Sequence, residues 1–105
     1  MGEPLRIGVS RAGTRVDLVL RGDLDAPAVP VIRERLWPLL GQGGHQVVAE
    51  VSGVTSVDIP GLAALVRFDL LLRRVSSTLT VAGPTPAFRA LLRSTGLDRR
   101  LRVRG

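Results

Sequence analysis

Residues 47–66 read Val47-Val48-Ala49-Glu50-Val51-Ser52-Gly53-Val54-Thr55-Ser56-Val57-Asp58-Ile59-Pro60-Gly61-Leu62-Ala63-Ala64-Leu65-Val66, and the rest of the chain is arranged around them. The apolar run Val47, Val48, Ala49, Val51 is long enough for one buried strand. The polar residues Ser52, Gly53, Thr55 and Ser56 predict a turn, and a second apolar pattern begins at Leu62. A strand feeding a helix follows. Pro60 suits the first helical turn, whose N–H groups have no intrahelical partner in any case. Asp58 stands where a capping carboxylate accepts one of them. The helix mouth from Asp58 to Gly61 is therefore expected to be preformed.

Before this stretch, Leu5-Arg6-Ile7-Gly8-Val9 alternates apolar and polar, as Val16-Asp17-Leu18-Val19-Leu20-Arg21 does less strictly, with Arg11-Ala12-Gly13-Thr14 as turn material between them. This predicts a hairpin whose first strand is an edge, closed by Gly22-Asp23-Leu24-Asp25. From Pro27, Val29, Ile32, Leu36 and Leu39 fall at helical spacing with Arg33, Glu34 and Arg35 outward, giving a first helix up to Gly41. Pro30 fits its first turn. Pro38 would remove the backbone bond to the Glu34 carbonyl, so a kink or early stop is expected near Trp37.

After the loop Gln42-Gly43-Gly44-His45, the buried strand Gln46–Val51 leads into the central motif. The second helix is expected from about Pro60 to Arg74. Leu62, Leu65, Val66, Leu70 and Leu72 form its broad apolar surface, and Arg67, Asp69, Arg73 and Arg74 its polar face. So much apolar surface packs a sheet and leaves some over for a partner or a dimer contact. Leu79-Thr80-Val81-Ala82 reads as a strand and Gly83-Pro84-Thr85-Pro86 as a stiff turn. Thr85 is placed to cap a third helix with Phe88, Leu91 and Leu92 inward. Gly96 is expected as its left-handed cap before a last strand at Leu101-Arg102-Val103. Strands alternating with helices ask for one α/β sheet with right-handed crossovers.

Composition narrows the function classes. A chain of 105 residues, 45% of them hydrophobic, buries a single core, and one domain over 1–105 is expected. No run approaches the roughly 18 apolar residues of a membrane span, and Met1-Gly2-Glu3-Pro4 opens into a strand pattern rather than a signal peptide. A cytoplasmic protein without membrane insertion is the expectation. The absence of Cys removes disulfides and thiolate metal sites. The net charge of +6 rests on fifteen Arg and no Lys, a bias that a GC-rich coding sequence also produces. With only Phe68, Phe88 and Trp37 as aromatics, the stacking platforms of single-strand nucleic-acid binders are missing, so no nucleic-acid partner is expected.

Residues 52–65 resemble the signature of STAS domains, the anti-sigma factor antagonist family. The usual pentad there is Asp, Ser, Ser or Thr, Gly, Leu, and the hydroxyl just before the Gly is the one a partner kinase phosphorylates. In this chain Pro60 holds that position and Ile59 the one before it. Gly22-Asp23-Leu24-Asp25 matches the family element that follows the second strand, and Thr95-Gly96-Leu97 matches its closing turn, so the resemblance spans essentially the whole chain. It implies a single STAS domain, a mixed and mostly parallel sheet of about five strands covered by three or more helices.

The resemblance also implies a regulatory protein-binding module. Its partner would be an anti-sigma factor of the serine kinase type, with no enzyme activity and no cofactor. A phosphate at a helix mouth is attracted by unpaired N–H groups and the helix dipole, and it adds charge and bulk to the surface the partner must cover. Without an oxygen at positions 59 and 60 the chain is expected to bind without that switch. Ser52, Thr55 and Ser56 lie three or more residues away, outside a kinase cleft aligned on the motif. The expected partner-binding residues are Asp23, Asp25, Asp58, Ile59, Pro60, Gly61 and Leu62, with Gly61 and Leu62 allowing close approach. Two other readings stand beside this one: a STAS accessory subunit of a lipid-transport ABC complex, and a repurposed small-molecule or catalytic module with a cavity lined by Asp23, Asp25 and Asp58.

Other residues have plainer readings. Asp23, Asp25, Glu50 and Asp58 gather at the carboxyl ends of parallel strands, where α/β folds place their sites. As structural groups, Asp25 and Asp58 would cap helices, and Asp23 and Glu50 would pair with nearby arginines or water. His45 stands alone, so no metal is expected. No nucleophile elbow and no dinucleotide fingerprint occur. Arg99, Arg100, Arg102 and Arg104 read as a solvated basic end.

Overall fold

The computed structural model describes residues 2–105; Met1, read as part of the lead-in to the first strand, lies outside them. Five strands form one sheet in chain order: β1 (Arg6–Ala12), β2 (Arg15–Leu24), β3 (Gln46–Val57), β4 (Thr78–Ala82) and β5 (Arg102–Arg104). β1 is an antiparallel edge on β2, and the remaining neighbours are parallel. Between the parallel strands run α1 (Val29–Leu36), α2 (Ile59–Arg74) and α3 (Pro86–Thr95). The expected mixed, mostly parallel sheet with three helices is what the chain forms.

Successive crossovers step one strand at a time in the same direction, and right-handed crossovers of that kind put every helix on one face. Burial agrees. Val16, Leu18 and Leu20 of β2, Val47, Ala49 and Val51 of β3, and Leu79 and Val81 of β4 are buried, and they share one face by register. The alternate residues Arg15, Val19 and Arg21 are exposed. The helices thus cover one side of the sheet and leave the other open.

Local chemistry sets the element ends. α1 stops at Leu36 and passes into a 3₁₀ helix over Trp37–Gly41, the early stop expected from Pro38. The turn lays Trp37 on Phe68 of α2, ring centroids 6.0 Å apart and 23° between planes. The Thr85 hydroxyl accepts the Phe88 N–H at 3.2 Å, and Gly96 ends α3 at φ 74°.

Two readings need correction. Ser52–Ser56 is not a turn: β3 continues to Val57 because β2 runs alongside it to Leu24, pairing Gly22 with Val54, Asp23 with Ser56 and Leu24 with Val57, and Val54 is buried. Asp69 is not on a polar face but almost fully buried, its carboxylate 3.1 Å from the Arg73 guanidinium one turn on. Leu70, 46% exposed, is part of the apolar surface left over on α2, and Phe68 is buried on its core side.

Leu65 and Leu70 therefore test which side of α2 meets the sheet. In urea unfolding, Leu65→Ala is expected to lose about 3 kcal/mol, the usual effect of emptying a closed core site. Leu70→Ala should stay within about 0.5 kcal/mol of the parent.

Candidate functional site

The ends of β2 and β3 lie side by side, with Leu24 opposite Val57, so Asp25 and Asp58, each one residue further on, emerge together. Asp25 Oδ1 accepts the Ala28 N–H at 3.1 Å and closes a 3₁₀ turn over Ala26–Ala28. Asp58 does more. Its backbone N–H donates to the Leu24 carbonyl at 3.1 Å, Oδ1 accepts the Gly61 N–H at 2.9 Å, and Oδ2 accepts the Ala26 N–H at 3.3 Å. One carboxylate caps α2 and ties that cap to the loop leaving β2, as the capping reading of both acids required.

Gly61 explains why the mouth sits so tight against β2. A Cβ there would lie 2.1 Å from the Leu24 carbonyl oxygen and 2.4 Å from its carbon, both backbone atoms that cannot yield. The close approach expected at Gly61 is thus made inside the fold rather than toward a partner, and Leu62 points wholly into the core. What remains accessible is Ile59, 58% exposed, and Pro60, with Asp25 and Asp58 half-buried beside them. Pro60 stands at an open helix entrance.

Asp23, expected to pair with an arginine or water, is held by side-chain hydroxyls. Its Oδ1 accepts the Thr55 hydroxyl at 2.7 Å and the Ser56 hydroxyl at 2.8 Å, both from the extended part of β3. These two hydroxyl donors, Thr55 first, hold its carboxyl below the usual value of 3.8. Glu50 likewise takes no arginine: among the described residues the ion pairs are Arg15–Asp17 and Arg73–Asp69. At the far end of α2, burial pushes the Asp69 carboxyl above its usual range despite the pull of Arg73.

Asp23 and Asp25 line a shallow hollow under the N-terminal segment with Glu3, Pro4, Pro27 and Val31, but Asp58 is not part of it. This hollow thus brings together two of the three acids considered for a cavity and leaves Asp58 outside it. Among the described residues, no group of three His, Cys, Asp or Glu side chains is arranged to hold a metal ion. Thr55 and Ser56 were the site residues that sequence reasoning missed. Their signal was the β-branched content of the stretch, Val51, Val54, Thr55 and Val57, which favours continued strand over turn.

A one-sided α/β sheet with an aspartate-capped α2 mouth locked against the end of β2 defines the STAS class of domain. Residues 7–103 match the family model described as Mlab, STAS domain, and the chain belongs to that family. No curated protein sequence matches it. Among solved structures it is similar to an anti-sigma factor antagonist from Mycobacterium paratuberculosis, with TM-score 0.82 and 19% identity over 94% of this chain and 84% of that one. It is also similar to the Bacillus cell fate determinant SpoIIAA in its phosphorylated form, with TM-score 0.72 and 20% identity over 95% of this chain and 92% of that one. The same fold matches 16% of the murine anion transporter Slc26a9 over 90% of this chain, with TM-score 0.75 and 17% identity. Among the described residues, no helix is long and apolar enough to cross a membrane.

The lowered Asp23 carboxyl sets a pH dependence. Folding favours its charged form, so its contribution is full above the unfolded value near 3.8 and is lost as pH falls through the lower folded value. The stability difference between the parent and Asp23→Asn should therefore be largest near neutrality and shrink in strong acid, read from urea midpoints across pH. Gly61→Ala should destabilise by about 2 kcal/mol or more at every pH, since the added carbon meets backbone.

Proposed function

We propose that this chain is a regulatory protein-binding module of the anti-sigma factor antagonist kind. It docks an anti-sigma factor of the serine kinase type through the face from Asp25 to Pro60 and lacks the family's phosphorylation switch. The observation that carries the proposal is the exposed pair Ile59 and Pro60 at the mouth of α2, on the spot where the motif's resemblance places a phosphorylatable hydroxyl. The similar protein from Mycobacterium paratuberculosis is an anti-sigma factor antagonist, and SpoIIAA, another antagonist, has been seen in both phosphorylated and unphosphorylated forms.

The chemistry follows from the geometry. A serine-type kinase needs a side-chain hydroxyl as its nucleophile, and neither Ile59 nor Pro60 supplies one. The nearest hydroxyls, on Thr55 and Ser56, are engaged with Asp23. The mouth instead offers a rigid apolar tip flanked by two half-buried carboxylates. In this reading the module binds and does not catalyse, and it acts in the cytoplasm, where its partner circuit operates.

A second reading is favoured by the same apolar tip. A subunit that stays bound needs no release signal, so a uniformly apolar contact at Ile59 and Pro60 also suits an accessory subunit held on the ATPase of a lipid-transport ABC complex.

Calorimetry with the serine-kinase anti-sigma factor encoded nearest to this chain tests the first reading. Ile59→Glu is expected to weaken binding about tenfold or more, by placing a charge in the apolar contact. Incubation with that kinase and ATP should leave the parent's intact mass unchanged, while Pro60→Ser gains one phosphoryl group with its fold retained. Absence of binding, or a phosphorylated parent, would defeat the proposal. Binding to a transporter ATPase in its place would establish the second reading.

A further inference from the structure

The uncovered face of the sheet carries a charge arrangement that the docking face does not use. In the antiparallel register of β1 and β2, Arg6 lies directly opposite Arg21, and the next pair on the same face is Gly8 opposite Val19. Directly opposed residues bring their Cβ atoms to about 5 Å, and like charges so placed repel. Neither guanidinium is relieved by a carboxylate: among the described residues, the ion pairs are Arg15–Asp17 and Arg73–Asp69.

The acids nearest this pair are turned elsewhere. Asp17, on the same face of β2, is held by Arg15. Glu50 stands beside Val19 in register, but its carboxylate leans over Gly83 at the end of β4, where a Cβ would lie 2.3 Å from its Oε1. Asp23, two residues after Arg21, is occupied by the Thr55 and Ser56 hydroxyls.

The ground between the two arginines is open. Arg6, Gly8, Val19 and Arg21 together line a concavity. Nothing lies within 4 Å of where a Gly8 Cβ would be, and Val19 is 38% exposed. Gly53 lets the Arg21 stem lie flat across β3, since a Cβ there would come 3.0 Å from Arg21 Cγ. Two forked donors thus flank a floor of glycine and valine.

We propose that Arg6 and Arg21 form a binding site for a phosphate monoester. The dianionic phosphoryl group lies between the two guanidiniums, which cancels their repulsion, and the ester substituent lies on Gly8 and Val19. Planar guanidinium forks suit the oxygens of such a group, and a doubly charged anion matches two unpaired cations. The site lies on the opposite side of the sheet from the helices, so it is independent of the docking proposal above. The phosphate monoester belongs either to a soluble molecule or to a lipid headgroup met by the open face.

The test titrates the isotope-labelled intact protein with phenyl phosphate and follows amide resonances by NMR. Saturable shifts centred on Gly8 and Val19 are expected. Arg6→Gln and Arg21→Gln should each raise the Kd about tenfold or more, as expected for loss of a charged hydrogen-bond donor. Arg102→Gln, on the far edge strand β5 with its side chain near Asp69 and Thr78, should change it by no more than about twofold. Unshifted resonances elsewhere report that each variant is folded. Should Arg21→Gln misfold, Arg6→Gln on the edge strand carries the comparison.

Sedimentation with phosphatidylcholine vesicles, with and without about 20 mole per cent phosphatidic acid, separates the two sources. Binding only to the phosphatidic acid vesicles, lost in both variants, assigns the phosphate to a lipid. Phenyl phosphate binding without vesicle binding assigns it to a soluble molecule. If no saturable shift occurs at Gly8 and Val19, or if Arg102→Gln weakens binding as much as Arg6→Gln, the site does not exist and the face is only diffusely basic.

Discussion

The first turn of α2 rests on the last residue of β2, and that contact sets the positions of most other parts of this molecule. Gly61 lies so close to the Leu24 carbonyl that no side chain fits between them, and Asp58 bonds to both Leu24 and Ala26 while capping the helix. A helix start is ordinarily held by its own cap alone. Here the cap also joins β2, β3 and α2 at one point, so the exposed tip Ile59-Pro60 is anchored on either side, at Asp58 and at Gly61. Rigidity at that tip costs a partner little ordering entropy on contact.

This junction also explains the length of β3. Once Leu24 is held against α2, β2 must extend to reach it, and β3 gains a neighbour as far as Val57. The hydroxyls of Thr55 and Ser56 then fall within reach of Asp23, which is nearly buried and needs donors. A carboxylate that would otherwise seek an arginine is satisfied locally. The arginines around it are left to solvent or to whatever binds them.

The two faces of the sheet divide the chemistry of the protein. The helix side contains the core and ends in the α2 mouth, with its apolar tip and half-buried aspartates. The open side has small and polar residues between arginines, its acids drawn to other partners. The uncovered face of this mostly parallel sheet, a face such sheets normally cover, carries Gly8, Ser10, Thr78 and Thr80 beside the apolar Val19 and Val48. One domain can thus present two unlike surfaces to two kinds of ligand.

Much of this was legible in the chain itself. Periodicity located all five strands and three helices, and residues with backbone effects marked their ends: Pro38 the break in α1, Thr85 and Asp58 the caps, Gly96 the left-handed stop. Such features act within a few residues and are therefore written in local sequence. The tertiary structure alone decided the continuation of β3 through a polar stretch, the burial of Asp69, the inward role of Gly61 and Leu62, and the meeting of Arg6 with Arg21. Each depends on what a distant segment places opposite it. Asp69 reads as a surface acid until Arg73 and the sheet beneath close over it, and Gly61 reads as a place for a partner until Leu24 is found occupying that space.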